Sequence, residues 1–231
     1  MKIRLFLCLL LNFMLFGIAS ATVTINLGIG KLTDGVAVTL PENTLWALIS
    51  EDSSGNLPGG LGVDSSLFSS SNATTLISHF GGASITPGAN IGGGVVLATG
   101  STTTAASLFT EGFIDAAVNF DISASGLSVG DKLGVYWFPG RTVASNTLPA
   151  SSFDIGGFHR TVPNVSSGGI IGLVVPSDNT IDSAAYIDNV TMEGASGIAA
   201  TEFQAITVVP EPSTIFILAT SFLLSISRRR R

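Results

Sequence analysis

The sequence predicts an all-β protein: a single β-sandwich or jelly-roll-like domain, flanked by a leader and a short apolar tail. Three observations predict it. From Thr22 onward apolar residues recur with a period of two rather than 3.6. Turn clusters such as "SSGNLPGG", "TPGANIGGG", "SASGLSVGD" and "VPNVSSGG" separate the alternating runs. The composition is 45% hydrophobic yet only 11% charged, with 27 Gly, where an ordinary globular chain carries about a quarter charged residues. Ser, Thr and Asn replace the missing charge, which suits pleated strands and polar turns.

Residues 1–21, MKIRLFLCLLLNFMLFGIASA, carry Lys2 and Arg4, then an apolar stretch, then Ala19-Ser20-Ala21. A positive start, a short apolar core and a small-residue cleavage site are the three parts of a secretory signal peptide. Export by Sec-type machinery and cleavage by signal peptidase after Ala21 are expected. The single cysteine, Cys8, lies inside this leader. Disulfides, iron–sulfur clusters and a cysteine nucleophile are therefore excluded from the exported part, which must be held by its core.

The exported β-rich domain is assigned to residues 22–208. Its first run alternates cleanly, with Val23, Ile25, Leu27 and Ile29 on one face. Further strands are expected at 36–40, 45–49, 94–98, 111–122, 132–138, 152–159, 169–175 and 202–209. Helices are expected only at 65–80, 103–109 and 182–192. In "GDKLGVYWFPG", Leu133, Val135 and Trp137 share one face, and Tyr136 and Phe138 the other. Apolar residues on both faces mark a central strand. Trp46 and Trp137 are accordingly core anchors rather than exposed sugar-stacking platforms.

Charge is distributed unevenly. Between Thr22 and Val209 only Lys31, Lys132, Arg141 and Arg160 stand against 15 of the 16 acids, a net charge of about −11. A body that acidic repels phosphate backbones, so nucleic acid is not a partner.

No coherent catalytic set is present. His79 and His159 have neither the H-E-x-x-H nor any other metal-ligand spacing. No G-x-S-x-G elbow, P-loop or dinucleotide-binding glycine spacing occurs, and no cofactor is expected. Carboxylates are plentiful: Glu111, Asp115 and Asp121 lie on or near one strand, and Glu51 and Asp52 in a loop. A glycosidase needs two of them facing one cleft. "PSDNTIDSAAYIDN" gathers Asp178, Asn179, Asp182, Asp188 and Asn189, oxygen donors of the type calcium takes, without the spacing of a calcium loop. The expectation is therefore no metal, with Asp178, Asp182 and Asp188 as the calcium candidates, and no enzyme.

The tail, residues 209–231, is more informative. Pro210 and Pro212 bracket Glu211 and hold the chain extended, a form that a processing enzyme's cleft can grip. Residues 215–227 follow, with nine apolar residues in 13. As a helix they span roughly 20 Å, short of a hydrocarbon core of about 30 Å. Such a segment serves as a transient stop rather than a permanent anchor, reaching across with local thinning and snorkelling arginines. Arg228, Arg229, Arg230 and Arg231 keep the end cytoplasmic and leave the domain outside.

Val209, Pro210, Glu211, Pro212, Ser213 and Thr214, then the apolar run, then four arginines, resemble the PEP-CTERM sorting signal of Gram-negative bacteria. The resemblance implies recognition by an exosortase, an integral-membrane cysteine-type transpeptidase-like enzyme. It further implies transient residence in the inner membrane, then the cell surface or extracellular space, in the company of exopolysaccharide systems. The expected function is a non-catalytic structural or interaction protein of the cell envelope or extracellular matrix. The alternative is a secreted carbohydrate-binding or carbohydrate-active protein on a jelly-roll scaffold.

Overall fold

Alternation along Thr22–Ile29 forms β1 over its full expected length, with its four odd-numbered apolar residues buried and Asn26 exposed. A computed structural model of the chain describes residues 22–29, 32–62, 68, 72–103, 112–159, 173–175, 186–187 and 204–209. Eight more strands follow: β2 Leu45–Ser50, β3 Asn90–Ile91, β4 Gly94–Ser101, β5 Ile114–Asp121, β6 Leu133–Phe138, β7 Phe153–Phe158, β8 Tyr186–Ile187 and β9 Ile206–Val208. They make a three-stranded sheet, β5-β1-β8, and a six-stranded sheet, β3-β4-β2-β6-β7-β9. Every ladder is antiparallel except that of β1 with β8. The all-β expectation holds.

The large sheet is apolar on both faces. On one, Trp46, Leu48, Leu133, Val135, Trp137 and Phe158 share a core with the inward residues of β1 and β5. On the other, Leu45, Ala47, Ile49, Tyr136, Phe138, Ile155 and Val208 pack under a layer of loops and one helix, α1, Ala73–Phe80. Its Leu76 and Phe80, four residues apart, present one buried stripe. The Phe80 ring centroid lies 5.5 Å from that of Tyr136 and 6.0 Å from that of Phe138. With both faces covered, β2 and β6 are buried at every residue, as the doubly apolar pattern of β6 requires.

One cross-strand row explains how two indoles fit side by side. Gly100 of β4 pairs with Trp46 of β2, which pairs with Trp137 of β6, which pairs with Gly156 of β7. Each indole lies over the glycine of the outer strand: a β-carbon at Gly100 would stand 2.5 Å from Trp46 Cζ2, and one at Gly156 2.0 Å from Trp137 Cε2. Trp46 is 3% and Trp137 0% exposed, and Trp137 Nε1 donates to the Thr33 carbonyl at 3.2 Å.

Several expectations need correction. Residues 36–40 are a loop, not a strand, and Val36 and Val38 are 77% and 59% exposed. Asp34 Oδ1 accepts the N–H groups of Val36 and Val38 at 2.9 and 2.8 Å, so a side-chain turn wins over β-branched alternation. Only Leu40 of that run reaches the core. Tyr186 and Ile187, inside the expected helix at 182–192, form a strand against β1 instead, because β1 has an edge there that backbone pairing satisfies. The cluster "TPGANIGGG" holds β3: Ile91 pairs with Gly94 through a two-residue turn whose Gly92 and Gly93 have φ of 55° and 90°, the left-handed pair a tight hairpin demands.

Other differences are of extent. Residue 122 begins a single helical turn, Ile122–Ser125, rather than ending β5. Of the helix expected at 65–80, Ala73–Phe80 is helical, and residues 65–67 and 69–71 lie outside the described residues. Of the helix expected at 103–109, Thr103 bridges Phe113, and the remainder lies outside the described residues. Of the strand at 169–175, Val174 bridges Lys132, with Leu173 and Val175 buried.

Candidate functional site

The chain reaches the sorting segment through β9. Ala205 N–H donates to the Thr33 carbonyl at 3.0 Å, and Gln204 Nε2 to that of Gly35 at 3.0 Å. Ile206, Thr207 and Val208 then pair with Ile155, Asp154 and Phe153 along the edge of β7. Ala205 sits in one hydrophobic core and Val208 in the other, so this short segment is fastened on both faces of the large sheet. One residue later Val209 is 58% exposed. Pro210, Glu211, Pro212, Ser213, Thr214 and the four arginines lie outside the described residues, as do Asp178, Asp182, Asp188 and Glu111. Among the described residues no helix is long and apolar enough to cross a membrane, and no group of three or more His, Cys, Asp or Glu could hold a metal ion.

The remaining reactive side chains have structural occupations. His159 is fully buried, with Nδ1 2.8 Å from the Leu133 carbonyl. A carbonyl only accepts, so Nδ1 carries the proton there. His79, at the end of α1, accepts the Gly59 N–H on Nδ1 at 3.0 Å and ties the helix to the 3-10 turn Pro58–Gly60. Glu51 pairs with Lys132 at 3.1 Å, and Lys132 Nζ also donates to the Gly55 carbonyl at 2.6 Å. Asp52 Oδ1 accepts the backbone N–H groups of Asn56 and Ser54 at 2.9 and 2.8 Å. Those bonds, Asn56's first, hold its carboxyl below the usual aspartate value. Tyr136 donates to the Pro58 carbonyl at 3.1 Å, and burial pushes its phenol well above the usual value.

The carboxylates on β5 do not converge. Asp115 and Asp121 lie on the solvent side of one strand, and six residues of strand separate them by about 20 Å. A glycosidase pair stands within about 10 Å. A groove of about 340 Å³ between β4 and β5 is lined in part by Trp46, Gly100, Asp115 and Asn119. Trp46 shows no ring face in it, being 3% exposed.

The Pro-Glu-Pro segment follows in sequence directly on the exposed Val209. Residues 208–231 match the family model of the PEP-CTERM protein-sorting motif. The tail is thus a PEP-CTERM sorting signal, which marks an exported protein sorted at the membrane with an exosortase as its processing partner. No curated protein and no solved structure matches the chain. The match begins at Val208, the last residue of β9, so the signal follows on the folded domain with no linker between them. The sequence expectation placed the start of the signal at Val209, one residue from the start of the match.

Proposed function

We propose that this chain is a non-catalytic structural or interaction protein of the cell envelope or extracellular matrix of a Gram-negative bacterium. An exosortase removes its apolar tail during export. The observation that carries this reading is the sorting motif at residues 208–231. The leader at residues 1–21 supports it, as does a body whose polar surface is Ser, Thr and Asn rather than basic. The two-sheet domain, a sandwich with a helical outer layer, is the part delivered to the surface. Exopolysaccharide or another matrix component is its proposed contact. Calcium at Asp178, Asp182 and Asp188 stays a subsidiary proposal on donor chemistry alone.

The intact mass of the protein from native cells and from their medium tests the reading. A mass ending between residues 210 and 214, with the arginines gone, is the expected result. Recovery of the full tail, all four arginines included, in a membrane fraction and nowhere else overturns it. The carbohydrate alternative draws no support from Trp46 or Trp137, since neither indole presents a face to solvent.

A further inference from the structure

The sorting motif begins where the fold ends. Val208 is fully buried and paired with Phe153, yet it is the first residue of the matched signal. The Pro-Glu-Pro segment therefore begins only two residues past the sheet. The reach past it is also short. Five residues, Pro210 to Thr214, lie between Val209 and the apolar run, and fully extended they span about 17 Å. With the apolar run in the membrane, a folded domain ending at Val209 would crowd the space in which the enzyme must seat itself.

We propose that β9 is a releasable strand, and that with the native spacing between β9 and the apolar run the sorting enzyme acts only on the state in which residues 204–209 have left the sheet. This rests on the sorting reading above. The strand has the properties required. It is three residues long, pairs with β7 alone among the described strands, and is the last of them along the chain. Its hold on the sheet is the β7 ladder, the Ala205 N–H and Gln204 side-chain bonds to the Thr33 and Gly35 carbonyls, and the buried Ala205 and Val208 side chains. Release frees six more residues and adds about 20 Å of reach, while β2 and β6, buried at every residue, stay in place. Short edge elements of this kind open far more often than the core they border. A domain that opens at this one edge presents its tail to the enzyme without unfolding.

The test locks the strand. Asp154 and Thr207 are directly opposed across β7 and β9, a spacing a disulfide can bridge. The one native cysteine, Cys8, lies in the leader and offers no competing thiol to the exported domain. The doubly substituted chain, Asp154→Cys with Thr207→Cys, is exported in the native cells, and its C-terminus is followed by intact mass. Oxidised, it should keep residues 228–231 and be trimmed at least about tenfold more slowly than wild type. Reductant should restore trimming, and a six-residue Gly-Ser insertion between Val209 and Pro210 should restore it with the disulfide intact. Each single substitution should be trimmed normally.

Trimming of the oxidised chain at the wild-type rate overturns the proposal, as does a locked chain that the insertion fails to rescue. Failure of wild type itself to be trimmed defeats the sorting reading and this proposal together, a result distinct from the first two. Hydrogen exchange on the wild-type protein is independent of the substitutions. The amides of β9 should exchange well ahead of those of β6, and equal protection of the two strands also overturns the proposal.

Discussion

Gly156 lies directly beneath the indole of Trp137: the two are cross-strand partners, and a β-carbon on Gly156 would stand 2.0 Å from Trp137 Cε2. The same relation holds between Gly100 and Trp46 on the far side of the row. Glycine weakens a strand, and here the weakness is offset by the volume it leaves for an indole.

Gly156→Ala should therefore destabilise the domain by about 1–3 kcal/mol through overpacking. Denaturant unfolding followed by tryptophan fluorescence measures it, and the emission maximum should move to the red if Trp137 is displaced. An unchanged midpoint would mean that the row relaxes without cost. Acrylamide should quench neither tryptophan of the folded wild type, since both are buried.

Tyr136 makes the domain alkali-sensitive. Its phenol is raised in the folded state by burial, while the unfolded value is about 10. The neutral form is thus favoured by folding, and its contribution is complete below pH 10 and lost as pH rises above it. Stability should fall from about pH 10 upward. Tyr136→Phe should flatten that fall, and should cost about 1 kcal/mol at neutral pH for the lost bond to the Pro58 carbonyl. A wild type and variant with the same alkaline profile would exclude this origin.

Asp52 acts at the other end of the scale. Its carboxyl is held low, first by the Asn56 N–H, against an unfolded value of about 4. The contribution is present above pH 4 and disappears as pH falls through the folded value. Asp52→Asn should remove this component of acid sensitivity, read as a shallower loss of stability below pH 4. Equal slopes for the two proteins would refute it.

Glu51 and Lys132 form a partly buried pair, their side chains 14% and 28% exposed. Lys132→Met should destabilise more than the double change Glu51→Gln with Lys132→Met, because the single change strands a carboxylate of low exposure. A thermodynamic cycle measures the coupling, which should be about 1 kcal/mol after allowance for solvent screening at this exposure.

Much of this architecture was legible in the sequence. Clean alternation placed β1 to the residue, and the doubly apolar "LGVYWF" announced a strand covered on both faces. The signals that misled were local patterns outvoted by particular hydrogen bonds. At residues 36–40 alternating valines lost to the Asp34 carboxylate, which folds the chain back before a strand can form. At Tyr186 a weak helical pattern lost to the open edge of β1. Gly156 of β7 looks like a weak point in the sequence, and becomes necessary only when its cross-strand partner, Trp137, is known.

The sequence by itself determined that this protein carries an export sorting signal, and the class of its fold. Sorting signals are read as linear chemistry by other proteins, and period-two alternation is a property of neighbours along the chain. Only the tertiary structure decided that Val208, at the border of the signal, is held in a sheet. Strand pairing joins residues more than fifty positions apart, Phe153 to Val208 among them, and no linear pattern specifies which partner an edge strand will choose.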